Sequence, residues 1–325
     1  MKTRQRRDES AAKKRLDPQA EALLQQMVQR NVPSLSTLTP TQAREMMRGM
    51  AALCAEPEAV AHVENLSVPG PGGQIPVRIY TPQRDGPFPV LVFYHGGGWV
   101  VCDLDTHDSL CRSLANRACC VVVSVDYRRA PEHKFPAAVE DAYAAIQWVA
   151  DNANRIDGDP ARIAVGGDSA GGNLAAVVAI MARDHNGPGI RYQLLVYPVT
   201  DISSSNTDSN PTRADGYFLT EADGEWSCDQ YLNCADDRLN PLVSPLLTPD
   251  LSHLPPALVI TAGFDTLRDQ GESYAKRLKK AGVSVECTRY QGMIHGFMSM
   301  DGLLDQARSG IEEASAALRV AFLTS

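Results

Sequence analysis

The pentapeptide Gly167-Asp168-Ser169-Ala170-Gly171 holds the residue best suited to attack a carbonyl. It follows the apolar run Ile163-Ala164-Val165 and opens a run of small and apolar residues from Asn173 to Ala182, so it reads as strand, tight turn and buried helix. In a G-x-S-x-G elbow the glycines, two positions either side of the serine, leave room for neighbouring backbone, and the serine oxygen sits at the positive end of the helix. Taken alone, the pentapeptide fits a glycine-rich connection with an incidental serine equally well. A dinucleotide-binding turn is set aside, because Gly166-Gly167-Asp168 breaks the G-x-G-x-x-G spacing.

A serine hydroxyl is a weak nucleophile until a positioned base takes its proton and a carboxylate aims that base. Open α/β sheets gather their ligands at the carboxyl ends of the strands. Of the seven histidines, His295 alone sits just past a late strand, in a loop where Gly292 and Gly296 permit an exposed imidazole. His62, His107, His133, His185 and His253 read as surface or packing residues. The orienting carboxylate should also follow a strand, and Asp265, after Ala257 to Ala262, is the choice over Asp269, whose alternative reading is a charge in a first helical turn. The chain order Ser169, Asp265, His295 is that of α/β-hydrolases and not of chymotrypsin or subtilisin.

His95-Gly96-Gly97-Gly98-Trp99 supplies the remaining chemistry. Consecutive glycines bring backbone N–H groups close to a ligand at an entropic cost that a plain loop does not justify. A phosphate cradle would want Lys-Ser or Lys-Thr next, and Trp99-Val100 stands there instead. An oxyanion hole made by the N–H groups of Gly97, Gly98 and Ala170 fits better, with His95 bracing the loop.

These groups need a scaffold. Strand-like runs at about 62–68, 75–81, 89–94, 119–125, 162–166, 192–197, 257–262 and 284–290 mix with helix-like runs at 107–117, 136–152, 170–184, 268–281 and 303–321. After an opening hairpin turning at Pro69 to Gly73, the alternation means crossover units and a mostly parallel sheet covered on both faces. Helical patterns at 17–30 and from Thr41 to about Ala55 precede the first strand and are cap candidates, so residues 1–55 are expected to form an N-terminal helical cap segment. Residues 56–325 would then be the catalytic domain, with a lid insertion at about 201–254 that contains a helix near 219–233.

The 325 residues, 44% of them hydrophobic, suffice for one large α/β domain, and the net charge of −8 without a basic stripe argues against nucleic acid. Residues 1–16 carry seven Lys or Arg without an apolar stretch behind them, which reads as a solvated first helix and not a secretory signal, with membrane-surface contact the alternative. No apolar run approaches the roughly 18 residues of a membrane span. The eight cysteines form no C-x-x-C pair and no zinc spacing; they read as reduced, mostly buried thiols of a cytoplasmic protein, and no metal is expected.

Four stretches together resemble the bacterial hormone-sensitive-lipase-like carboxylesterases: His95 to Trp99; Asp126-Tyr127-Arg128-Arg129-Ala130-Pro131-Glu132 with Phe135-Pro136-Ala137-Ala138; Gly167 to Gly172; and Asp265 with His295-Gly296-Phe297. Arg129 stands where that family usually has an aliphatic residue, and Thr266 where it usually has proline. The resemblance implies an α/β-hydrolase fold with a helical cap, short- to medium-chain acyl esters as substrates, no cofactor, and often a homodimer. Asp126 and Glu132 resemble the family's structural stretch beneath the site and read as buried polar braces. Amide or lactone hydrolysis would use the same triad. A non-catalytic binding role, as in the gibberellin receptor, which is similar in fold but lacks the histidine, is disfavoured by the presence of His295.

Overall fold

A computed structural model of the chain describes residues 15–203 and 217–323. The basic residues before position 15 and the Ser/Asp/Asn-rich start of the insertion lie outside them. One eight-stranded sheet organises the molecule, in the order β1-β2-β4-β3-β5-β6-β7-β8. Its strands are β1 (His62–Gly70), β2 (Gly73–Thr81), β3 (Phe88–Tyr94), β4 (Val121–Val125), β5 (Gly158–Asp168), β6 (Tyr192–Val196), β7 (Ala257–Phe264) and β8 (Val285–Ile294). Strands β1 and β2 pair antiparallel as a hairpin, β2 pairs antiparallel with β4, and all other pairs are parallel. This is the α/β-hydrolase fold.

The central strands read as continuous apolar runs because both of their faces are covered. Alternate residues of β3 divide between the two sides. Val90, Val92 and Tyr94 pack with α4 (Ala137–Asn152), α5 (Ala170–Asp184) and α7 (Arg268–Lys280), whereas Leu91 and Phe93 pack with α3 (Asp108–Ala118) and α8 (Asp305–Leu323). Helix α5 is lined with alanine, valine and glycine and is buried almost throughout, so it can lie close against β5.

Several boundaries differ from the sequence reading. Pairing in the hairpin continues to Gly70 and Gly73, so the turn is the dipeptide Pro71-Gly72. Strand β4 begins at Val121 because Cys119 closes α3 in a left-handed conformation. Strand β5 starts at Gly158, earlier than the polar Asp159-Pro160 suggests, because Phe88 pairs with Gly158 across a register shift. All eight thiols are free, but only Cys102, Cys111, Cys120 and Cys228 are buried; Cys54 and Cys119 are partly exposed and Cys234 and Cys287 exposed. No helix among the described residues is long and apolar enough to cross a membrane.

Ahead of the sheet stand α1 (Pro18–Gln29) and α2 (Pro40–Gly49), and between β6 and β7 stands α6 (Glu221–Tyr231). Arg44 fastens α2 to the core: Nε donates to the Val100 carbonyl at 2.9 Å, Nη2 to the Ala130 carbonyl at 2.8 Å, and the guanidinium grips Glu132 in a bidentate pair at 2.6 and 2.8 Å. Glu132 is therefore a brace, but one at the surface and not buried, with a side chain 55% exposed. The Arg44 hydrogen bonds hold its carboxyl well below the usual range, at about 2. A carboxyl depressed in the folded state contributes stability above its unfolded value of about 4.3 and loses it as pH falls through the folded value. At this exposure the contribution is about 1 kcal/mol or less. The melting temperatures of the wild type and Glu132→Gln should thus differ by a small, constant amount between pH 6 and 8 and converge as pH drops from about 4 toward about 2. Arg44→Ala, which also strands two carbonyls, should destabilise more than Glu132→Gln and open residues 30–55 to limited proteolysis.

Candidate active site

The elbow is a place where three backbones meet. Residue Ser169 joins β5 to α5 with φ 55° and ψ −119°, a conformation that L residues avoid at a cost of about 1–3 kcal/mol. The packing around it explains both glycines. A Cβ on Gly167 would lie 2.4 Å from the Gly171 carbonyl group and 2.5 Å from the Tyr94 oxygen, and one on Gly171 would lie 1.9 Å from that same oxygen. The strained turn leaves Ser169 Oγ at the end of the sheet beside the first turn of α5.

The structure brings Ser169, Asp265 and His295 together from three strand ends. His295 follows the last residue of β8, and its Nε2 lies 3.0 Å from Ser169 Oγ. Its Nδ1 lies 2.8 Å from Asp265 Oδ2. Asp265 Oδ1 accepts the Leu267 N–H at 2.8 Å, which fixes the carboxylate plane. The Tyr197 ring packs beside the imidazole at 4.7 Å, and all three site side chains are buried. A bulge between Ala262 and Phe264 sets the exit of β7, where a Cβ on Gly263 would lie 2.0 Å from the Gln291 carbonyl oxygen; the close contact joins the strands that carry Asp265 and His295. The rival carboxylate, Asp269, pairs instead with Arg268 and is 57% exposed.

The loop after β3 turns back on itself through the Val100 and Val101 N–H groups, which donate to the Gly97 carbonyl at 3.0 and 2.9 Å. Gly97 and Gly98 have φ of +111° and +58°, and Cβ atoms there would strike the Val101 carbonyl oxygen at 2.2 Å and Ser227 Oγ at 2.5 Å. Among the described residues, the N–H groups of Gly97 and Gly98 donate to no protein acceptor. Ala170, the first residue of α5, has an N–H with no partner inside the helix. His95 braces this loop: its ring stacks on Tyr127 at 4.4 Å, and the Tyr127 hydroxyl donates to the His95 carbonyl at 2.8 Å. Asp126, half-buried, stands 3.8 Å from His95 Nε2, and Arg129, the departure from the aliphatic pattern, donates to the Cys102 carbonyl.

One histidine read as a surface or packing residue is the latter, and it has a carboxylate partner that the reading did not name. His107 is a core residue whose Nε2 faces Asp168 Oδ1 at 3.0 Å, whereas His62, His133, His185 and His253 are exposed. Asp168 also accepts the Gly96 N–H at 2.9 Å. Burial pushes the Asp168 carboxyl up, but His107, His95 and the Gly96 N–H together outweigh it and hold the carboxyl below its ordinary value. The preference of an imidazole and a carboxylate for each other was the available signal; nothing in the spacing of the two residues reveals their contact.

Ser169 and His295 open into a cavity of about 260 Å³. Its walls come from the strand ends, from Met27, Met46, Met47 and Met50 ahead of the sheet, and from Phe218, Leu219 and Cys228 in the insertion. The two outer walls are tied together: Asp223 of α6 accepts the Ser34 hydroxyl at 2.5 Å and the Ser36 N–H at 2.9 Å. Gly171→Ala should abolish folded protein or cost more than about 3 kcal/mol, because its Cβ meets backbone and not a movable side chain. Thermal unfolding measures this, and a loss under about 1 kcal/mol would contradict the close approach described.

The chain is similar to known hydrolases over most of its length. Residues 91–299 match the model of a family described by its alpha/beta hydrolase fold. The chain is 48% identical over 283 residues to the carboxylic ester hydrolase LipN of Mycobacterium tuberculosis, an alignment covering 85% of this chain and 75% of that one. It is 38% identical to an ethyl acetate hydrolase of Pseudomonas putida, over 85% of this chain and 89% of the other. Among solved structures, it is similar to a hyperthermophilic esterase of the archaeon Pyrobaculum calidifontis with a TM-score of 0.90 and 44% identity, covering 94% and 98% of the two chains. An ester hydrolase from the metagenome of Lake Arreo, complexed with a bipyridine phosphonate derivative, superposes with a TM-score of 0.91 at 43% identity, covering 95% and 100%.

Proposed function

This chain belongs to the alpha/beta hydrolase family, in its hormone-sensitive-lipase-like carboxylesterase branch, and we propose that it hydrolyses short- to medium-chain acyl esters through an acyl-enzyme formed on Ser169. The observation that carries the reading is the proton path in which one buried imidazole lies 3.0 Å from the Ser169 hydroxyl and 2.8 Å from the Asp265 carboxylate. In the acylation half, Ser169 Oγ attacks the ester carbonyl carbon while His295 Nε2 takes its proton. Asp265 accepts from Nδ1–H, keeps the ring in the productive tautomer and stabilises the imidazolium. The negative charge on the former carbonyl oxygen is received by the N–H groups of Gly97, Gly98 and Ala170, which need no reorganisation because their backbone is fixed by the turns described above. Collapse breaks the bond to the alcohol oxygen, which takes the proton from His295. Water, giving its proton to the same Nε2, attacks the acyl-enzyme; collapse returns the proton to Ser169 Oγ and frees the carboxylic acid.

The cavity supports the choice of substrate size. At about 260 Å³ it lies just under the usual span of roughly 300–1,000 Å³ for small-molecule sites, and its walls are largely apolar. Residues 1–55 and about 201–254 together act as the cap in this reading, since residues of both stretches line the cavity. The reading also carries a cytoplasmic location, supported by the eight free thiols, and a homodimer, which light scattering on the purified protein tests.

Ser169→Ala and His295→Ala should each lower kcat on a simple aryl ester by on the order of 10⁴ or more with the folded structure intact. Near-normal turnover in either variant refutes the assignments. Across a series of p-nitrophenyl esters, kcat/KM should peak at short to medium acyl chains; a maximum on long-chain, water-insoluble triglycerides would contradict the substrate class.

A further inference from the structure

The chemistry above leaves unused a second buried histidine and carboxylate, His107 and Asp168, directly behind the nucleophile. Asp168 immediately precedes Ser169, and Gly96, whose N–H it accepts at 2.9 Å, immediately precedes Gly97 and Gly98. One carboxylate therefore spans the gap between the residue before the attacking hydroxyl and the residue before two oxyanion donors. The approach is tight: a Cβ on Gly96 would lie 2.4 Å from Asp168 Oδ2.

We propose that His107 is a positioning residue for ester hydrolysis, its imidazole compensating the buried Asp168 carboxylate so that this carboxylate stays aimed at Gly96 and fixes the separation between Ser169 Oγ and the N–H groups of Gly97 and Gly98. The inference rests on the esterase reading of Ser169. His107 Nε2 faces Asp168 Oδ1 at 3.0 Å as a close ion-pair contact and not as an aligned hydrogen bond. Without His107 the buried carboxylate would keep only the Gly96 N–H, and a buried charge with so little compensation takes up a proton or turns toward another donor. Either response slackens the tie to Gly96. The imidazole is itself held firmly. Its Nδ1 lies 3.0 Å from Thr106 Oγ1, which accepts the Asp103 N–H at 2.9 Å and donates to the Asp103 carbonyl at 2.8 Å. Its ring packs at 5.6 Å from that of His95 and 6.2 Å from that of Phe93, and its backbone caps α3.

The test uses the full chain, with p-nitrophenyl butyrate as substrate and rates normalised to sites phosphonylated by a fluorophosphonate. His107→Phe keeps a ring and removes the ring nitrogens; it should lower kcat about 10²-fold, the scale of a misplacement near 1 Å, with KM changed by less than about threefold. His107→Gln, whose amide can donate from a similar place, should recover most of that loss. Asp168→Asn should lower kcat comparably, and the double variant with His107→Phe should be no worse than Asp168→Asn alone. A His107→Phe enzyme within about threefold of wild-type kcat, or losses that multiply in the double variant, overturns the inference. Should His107→Phe not fold, wild-type kcat in Asp168→Asn overturns it instead. A wild-type protein that the fluorophosphonate does not phosphonylate fails the esterase reading, a result distinguishable from a phosphonylated wild type with an unaffected His107→Phe.

Discussion

The end of β3, the end of β5 and the first turn of α5 approach one another so closely at Ser169 that no side chain fits between them. That contact is the constraint on which the site depends. It makes Gly167 and Gly171 obligatory and drives Ser169 to positive φ. It also brings the Tyr94 carbonyl, two residues before Gly96, against the base of α5. Two stretches separated in sequence, Ser169 just after β5 and the glycine loop after β3, are thereby placed side by side by backbone geometry, which tolerates less drift than side-chain packing would.

The rest of the sheet supplies a reason for the other two residues. Parallel strands deliver their carboxyl ends to one rim, and β7 and β8 are neighbours, so Asp265 and His295 emerge next to each other. The bulge at Gly263 and the turn at Gly296, with φ +76°, adjust the exits by small amounts. Long-range order is thus set by strand pairing, and the last ångström by local backbone irregularities at positions where a Cβ would not fit or would be strained.

Much of this was legible in the sequence because chemistry restricts residue type. A nucleophile, a base and an aimed acid admit few choices, and α/β alternation says where each must fall; Ser169, Asp265 and His295 were chosen on those grounds, and the His295 ring lies within hydrogen-bonding distance of each of the other two. What escaped was defined by partners. His107 sits at the entry of a helix, and a packing role was open to it, but its contact with Asp168 follows only from the position of that carboxylate on another strand. Glu132 was expected to be buried, but its partner Arg44 comes from α2 on the outside of the core, and the pair stays at the surface. The early start of β5 was hidden for a similar reason, since Asp159 and Pro160 disfavour strand and only pairing near Phe88 extends it.

Helices ahead of the sheet and helix α6 of the insertion share the outer walls of the cavity, and they are not independent of the oxyanion loop. Arg44 of α2 takes the Val100 carbonyl, just beyond that loop, and Asp223 of α6 takes Ser34 and Ser36, just before α2. Trp99, which ends the glycine run, stacks on Tyr231 of α6 with centroids 4.3 Å apart and planes 6° from parallel. Both rings are fully buried, so each forms part of the other's packing environment. The outer helices therefore do more than wall the cavity: they press on the loop that carries Gly97 and Gly98. Methionine at positions 27, 46, 47 and 50 reconciles the two duties, because an unbranched, polarisable side chain can yield to acyl groups of different shape while the helix backbone behind it stays anchored. Adaptability lies in the side chains that line the cavity, and rigidity in the hydrogen bonds that tie the outer helices to the core.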